Sequence, residues 1–213
     1  MWEFLLVTFT STLFVVDPLG VVPSYLVMTA NDPAAKRRQM AFRAAVISTA
    51  TLMAFASTGG AVLAMFGVGL SAFRIAGGVI LFLVGIDMLR AQRATQERPD
   101  EVQEGVAKED VAVTPLAIPM LAGPAAMSTV TMLMNLADTP LRVCGLYTVI
   151  LVVGLISYAA LRLAEPLHHL LGRTGIHVIS RILGLVVLAI GVQLVLDGLA
   201  DVGLIKQAMT PPG

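Results

Sequence analysis

The chain has 213 residues, 57% of them apolar and 13% charged, with fourteen Lys and Arg balancing fourteen Asp and Glu. A soluble domain averages about 45–50% apolar and about 25% charged residues, so this composition excludes a water-soluble fold and predicts an all-α, multi-pass membrane protein. Zero net charge without a long basic run excludes nucleic acid as a partner. The single cysteine, Cys144, excludes an internal disulfide and any multi-cysteine metal site.

In chain order, segments of the roughly 20 apolar residues needed to cross about 30 Å of hydrocarbon fall at 3–29, 42–66, 70–90, 112–136, 142–164 and 178–200. The N-terminal stretch has no positive n-region (Glu3 is negative) and no small-x-small cleavage site, so it is read as the first span, with Trp2 as an interfacial anchor. The first span is interrupted by FVVDPLGVVPS at 14–24, where Pro18 and Pro23 bracket Gly20. FGVG alone joins spans two and three. The polar stretch 90–111 holds ten of the 28 charged residues and reads as a solvated linker. Span four repeats the first interruption as AIPMLAGPAAMS at 117–128, where Pro119 and Pro124 bracket Gly123. A proline inside a helix costs about 3 kcal/mol, and lipid supplies no water for the freed backbone groups. Such breaks are tolerated only within protein or beside an aqueous cavity, and a matched pair points to a transporter's binding site.

Three correspondences relate the halves: Pro18 to Pro119, Arg43 to Arg142, and RIAG at 74–77 to RILG at 181–184. The predicted units are 1–90 and 112–213, joined by a cytoplasmic linker at 91–111. Three spans per unit force the second to run upside down, giving six transmembrane helices as two inverted three-helix repeats with spans 1 and 4 broken. Lys36, Arg37, Arg38, Arg43, Arg90, Arg93, Arg98, Lys108, Arg162, Arg173 and Arg181 lie opposite the termini, against Arg74, Arg142 and Lys206 beside them. The positive-inside rule therefore places both termini outside the cytoplasm.

Asp17 falls near the bilayer centre, where an ionised carboxylate costs about 2.5–3.5 kcal/mol and usually faces the bundle interior. It is read both as a ligand for substrate or coupling ion and as the N-cap of a half-helix starting at Pro18. Half-helix ends offer free amides to an anion and free carbonyls to a cation. The candidate substrate-binding residues are Asp17, Pro18, Gly20, Pro23 and Ser24 at the first break, with Gly123, Pro124, Ala125, Ser128 and Thr129 at the second. Hydroxyls at Thr8, Thr10, Ser11, Thr12, Thr29 and Thr131 line the approaches. Asn135 and Gln193 are read as hydrogen-bonding between helices, Arg74 and Arg181 as anchors, and His168, His169 and His177 as lying in a loop without metal-site spacing. Backbone partial charges of both signs with little side-chain bulk suit a small zwitterion, an amino acid above all. With no GxxxxGK[ST] loop, energy must come from an ion gradient (Na⁺ or H⁺), exchange or a partner.

DPLGVVP near the N-terminus, PLAIPMLAGPAAMSTV at 115–130 and RIAGG at 74–78 closely resemble the MarC family, small bacterial and archaeal membrane proteins that look like relatives of the LysE-type exporters. The resemblance implies a six-span inner-membrane protein moving small neutral amino acids such as glycine or alanine. Neither enzymatic activity nor a resident cofactor or metal is expected. Family members often read Gly-Pro-Gly where this chain has Gly123, Pro124 and Ala125. The alternatives are a non-transporting scaffold or regulatory protein, and an intramembrane hydrolase. Asp17 has no repeat-related carboxylate partner, since Ile118 stands there, which disfavours the hydrolase. The reading is compatible with a homo-oligomer.

Overall fold

The computed structural model describes residues 1–67, 69–89 and 111–203. The predicted linker up to residue 110, with Arg90, Arg93, Arg98 and Lys108, and the C-terminal Lys206 lie outside the described residues, as do the side chains of Arg173 and His177. Among the described residues the chain is a succession of helices: α1 (Trp2–Val16), α2 (Pro18–Met28), α3 (Ala34–Met65), α4 (Leu70–Leu89), α5 (Ala112–Leu121), α6 (Pro124–Asn135), α7 (Pro140–Arg162) and α8 (Ala164–Asp201).

Among the described residues, four stretches are long and apolar enough to cross a membrane: α1 with α2 as Trp2–Met28, Ala34–Ala61 of α3, α7, and Thr174–Asp201 of α8. The pair α5 and α6, bent by 57°, makes a fifth if it is one span. α4 is not among them. Leu6, Leu151, Leu155 and Leu185 are exposed on these helices, as a lipid-facing surface requires. Two boundaries differ from expectation. α3 begins at Ala34 rather than near 42, because the basic run Lys36–Arg38 adds a polar first turn to the apolar span. The segment 165–175, read as a loop, is helical, with a single interruption at Gly172 (φ 63, ψ 175). Glycine adopts that left-handed conformation without penalty, so α8 turns there and resumes.

The packing is reciprocal between the halves. α1 and α2 both lie against α7, while α5 and α6 both lie against α3. α2 also meets α8, and α6 meets α4. The most extensive contact of all joins α4 to α8. It is a seam of small residues at heptad spacing, with Ser71, Gly78 and Gly85 opposite Gly198, Gly191 and Gly184, so the two helices run antiparallel. A Cβ at Gly191 would sit 2.6 Å from the Phe82 amide nitrogen and 2.7 Å from the Gly78 carbonyl oxygen. Without a hydrophobic drive between helices in lipid, such backbone-to-backbone approach supplies the attraction. Arg74, read as an anchor, pairs with Asp201 at 2.6 Å and ties the start of α4 to the end of α8.

Candidate functional site

The first break is made by one residue. Asp17 has φ 45 and ψ 63, a left-handed conformation that Asp tolerates better than most side chains. Its amide still donates to the Leu13 carbonyl at 3.0 Å, closing α1, while its Oδ1 accepts from the Gly20 amide at 3.2 Å and caps α2. Pro18 at the first helical position has no N–H to leave unpaired. The carboxylate is 2% exposed. Its other oxygen, Oδ2, accepts from the Ser180 hydroxyl of α8 at 3.5 Å. A Cβ at Gly20 would lie 2.8 Å from the Asp17 Cγ, so the glycine makes room for the cap. The capping role read from the sequence is thus observed.

The second break uses the same motif differently. Thr114 and Ile118 are extended, each preceding a cis proline, and α5 is held by wide bonds from the Leu116 amide to the Val111 carbonyl (3.2 Å) and from Ala122 to Ala117 (2.8 Å). α6 begins at Pro124, the second proline of its motif, whereas α2 begins at Pro18, the first of its own, and keeps Pro23 in its interior. Gly123 precedes α6 in extended conformation and brings no capping side chain, so the first amides of α6 lack the partner that Asp17 gives α2. A Cβ at Gly123 would lie 2.7 Å from the Pro119 carbonyl oxygen, which fixes glycine there.

Of the remaining candidates, Pro18 and Ser24 are buried, Gly20, Pro23, Gly123, Ala125 and Ser128 are half-buried, and Pro124 is exposed. Thr129 is buried and donates to the Ala125 carbonyl at 2.8 Å. α1 packs against α6 and α2 against α5, so the elements flanking one break touch those flanking the other.

The hydroxyls divide sharply. Thr10, Thr29 and Thr131 donate to the carbonyls of Leu6, Tyr25 and Phe55. Thr8, Ser11 and Thr12 lie on one face of α1, fully enclosed, and their oxygens have no hydrogen-bond partner among the described residues. A buried hydroxyl without a partner costs about 1–3 kcal/mol. Three on one face, five to nine residues before Asp17, define a polar lane toward the break. Asn135 and Gln193 correct the expectation of interhelical bonding: Asn135 donates to the Thr131 carbonyl and Gln193 to Asp197, each four residues away on its own helix. The i,i+4 geometry of a helix offers a nearer partner than the neighbouring span. No group of three or more His, Cys, Asp or Glu is arranged to hold a metal among the described residues. Ser180 was missed by sequence reasoning. Its contact spans 163 positions, and no local pattern marks it.

These features define an integral, multi-pass, all-helical membrane protein with a buried carboxylate at an interrupted span. The chain belongs to the MarC family of integral membrane proteins, whose model matches residues 2–202. It is 32% identical over 198 residues to a UPF0056 membrane protein of Methanocaldococcus jannaschii, covering 92% of this chain and 96% of that one. It is 31% identical over 205 residues to the UPF0056 membrane protein YvbG of Bacillus subtilis (93% and 95%). With YhcE of Escherichia coli it shares 29% over 188 residues (88% and 87%). No solved structure matches.

Proposed function

We propose that the protein is a secondary transporter of small neutral amino acids, glycine- or alanine-like zwitterions, and not an enzyme. Six spans form two inverted units, 1–90 and 112–213, joined by the linker at 91–111, which rock around a midplane site built from both breaks. The observation that carries this reading is Asp17, a buried carboxylate at the break of the first span, approached by three hydroxyls that find no hydrogen-bond partner among the described residues. The substrate's carboxylate suits the first turn of α6, which no side chain caps and where the positive end of the helix dipole lies. Its ammonium group suits Asp17. Either Na⁺ or H⁺ fits the same carboxylate as coupling ion. The reciprocal packing of the halves and the antiparallel α4–α8 pair support the inverted arrangement.

Protein reconstituted in liposomes should move labelled glycine or alanine faster than empty vesicles, and more so under an imposed Na⁺ or H⁺ gradient. Flux indistinguishable from empty vesicles across a panel of neutral amino acids would remove the proposal. The eleven-to-three distribution of Lys and Arg supports insertion in the cytoplasmic membrane with both termini outside. A cysteine added at the C-terminus, in a Cys144→Ser background, should react with an impermeant thiol reagent in intact cells or spheroplasts. Reaction only after permeabilisation would invert the topology.

A further inference from the structure

Where α2 ends, the start of α3 and the α7–α8 junction line a solvent-open cleft of about 90 Å³. Arg37, Arg38 and Arg162 line it, with Tyr25 at its inner wall and Glu165 at its rim. The charges do not balance. Arg37 is engaged by Glu165 at 2.6 Å, and Asp32 nearby is engaged by Lys36 at 2.7 Å. Arg38 and Arg162 have no ion-pair partner among the described residues.

Ala34 and Ala164, the first residues of α3 and α8, are both in the cleft wall, and no side chain caps α8. The C-terminal ends of α2 and α7 meet them there, so the helix ends bring partial charges of both signs and the excess positive charge is that of the Arg38 and Arg162 guanidinium groups. The cleft is also built rather than incidental. The buried Tyr25 donates its hydroxyl to the Arg37 carbonyl at 2.8 Å, fixing the first turn of α3 against the end of α2.

We infer that this cleft binds a phosphate-bearing anion, held by Arg38 and Arg162 and by the amide ends of α3 and α8. Guanidinium groups match phosphate oxygens in pairs, and a phosphate accepts from several donors at once. Two sources share this chemistry. One is the headgroup of an anionic phospholipid, since basic pockets between helices at the cytoplasmic face recognise such groups. The other is a soluble phosphate. The inference does not depend on what the protein transports.

The test is thermal unfolding of the full-length protein in neutral detergent, with phosphatidylglycerol or inorganic phosphate titrated against a phosphatidylcholine control. Saturating ligand should raise the midpoint by about 3–6 °C. A rise with phosphatidylglycerol alone assigns the site to a lipid headgroup, and a rise with phosphate as well assigns it to the free anion. The double variant Arg38→Gln/Arg162→Gln, at two exposed positions, should keep the unliganded midpoint and lose most of the rise. Equal protection of the double variant, or no protection of the parent by either ligand, overturns the inference. Glu165→Gln supplies an arm that does not remove an arginine. It frees Arg37 and should enlarge the rise, and a smaller or unchanged one also overturns the inference.

Discussion

Replacing Asp17 with Asn should abolish or decouple amino-acid flux while leaving the protein folded in the membrane. The amide keeps an oxygen to accept from Gly20, and Asn shares with Asp the tolerance for the left-handed conformation at φ 45. What it loses is the negative charge and the ability to carry a proton. Asp17→Ala loses more: the cap, about 1 kcal/mol, and the tolerance of left-handed backbone, about 1 kcal/mol. The alanine variant should therefore unfold about 4–8 °C lower than the asparagine variant in the same detergent. Full flux by Asp17→Asn in liposomes removes the carboxylate from the transport cycle. Equal melting of the two variants removes the cap from the account of the fold.

Gly191→Leu should cost the protein its assembled state. The new side chain would enter where the Phe82 nitrogen, the Gly78 oxygen and the Leu81 carbonyl carbon stand within 3.1 Å of a Cβ. All three are backbone, so no rotamer change can make room and the helices must separate. Overpacking of this kind costs about 1–3 kcal/mol and sometimes more. A leucine against main chain belongs at or beyond the upper end, and Gly191→Ala lower in the range. Gly69→Ala, with no atom within 4 Å, serves as the neutral control. The measurement is the fraction of monodisperse protein after detergent extraction, followed by its unfolding midpoint. A Gly191→Leu protein as stable as the parent would show that α4 and α8 do not meet along this seam.

The sequence makes the breaks legible because proline and glycine act locally: Pro18 and Pro124 each stand at the first position of a helix, whatever surrounds them. It makes Asp17 legible as a cap for the same reason. The proline pattern alone does not say which proline of each motif ends the helix. The first break falls before Pro18 because Asp17 caps the next turn. Ile118, its counterpart, has no acceptor to offer, and there the helix restarts only after Gly123. The seam was hidden differently. Heptad-spaced glycines in α4 and α8 are visible in the sequence, but their pairing is a property of two helices 100 residues apart. Ser180, Asn135 and Gln193 show the same divide: the cross-helix partner of Ser180 leaves no mark in the sequence, and Asn135 and Gln193, read as bonding between helices, find their partners four residues away on their own. The segment 165–175 reads as an extra loop because it stretches the offset between the corresponding RIAG and RILG motifs, yet only Gly172 departs from helical geometry.

That the two motifs interrupt their spans at different prolines bears on energetics. Five residues of helix correspond to about 7.5 Å along the axis, so the restarts of α2 and α6 are not mirror images. A carrier made of identical inverted halves would hold its inward-open and outward-open forms at equal free energy. In the proposed carrier, one half places a carboxylate at its restart and the other no capping side chain, so that degeneracy would be lifted. Its resting orientation would then be biased by the chain itself before any gradient is applied.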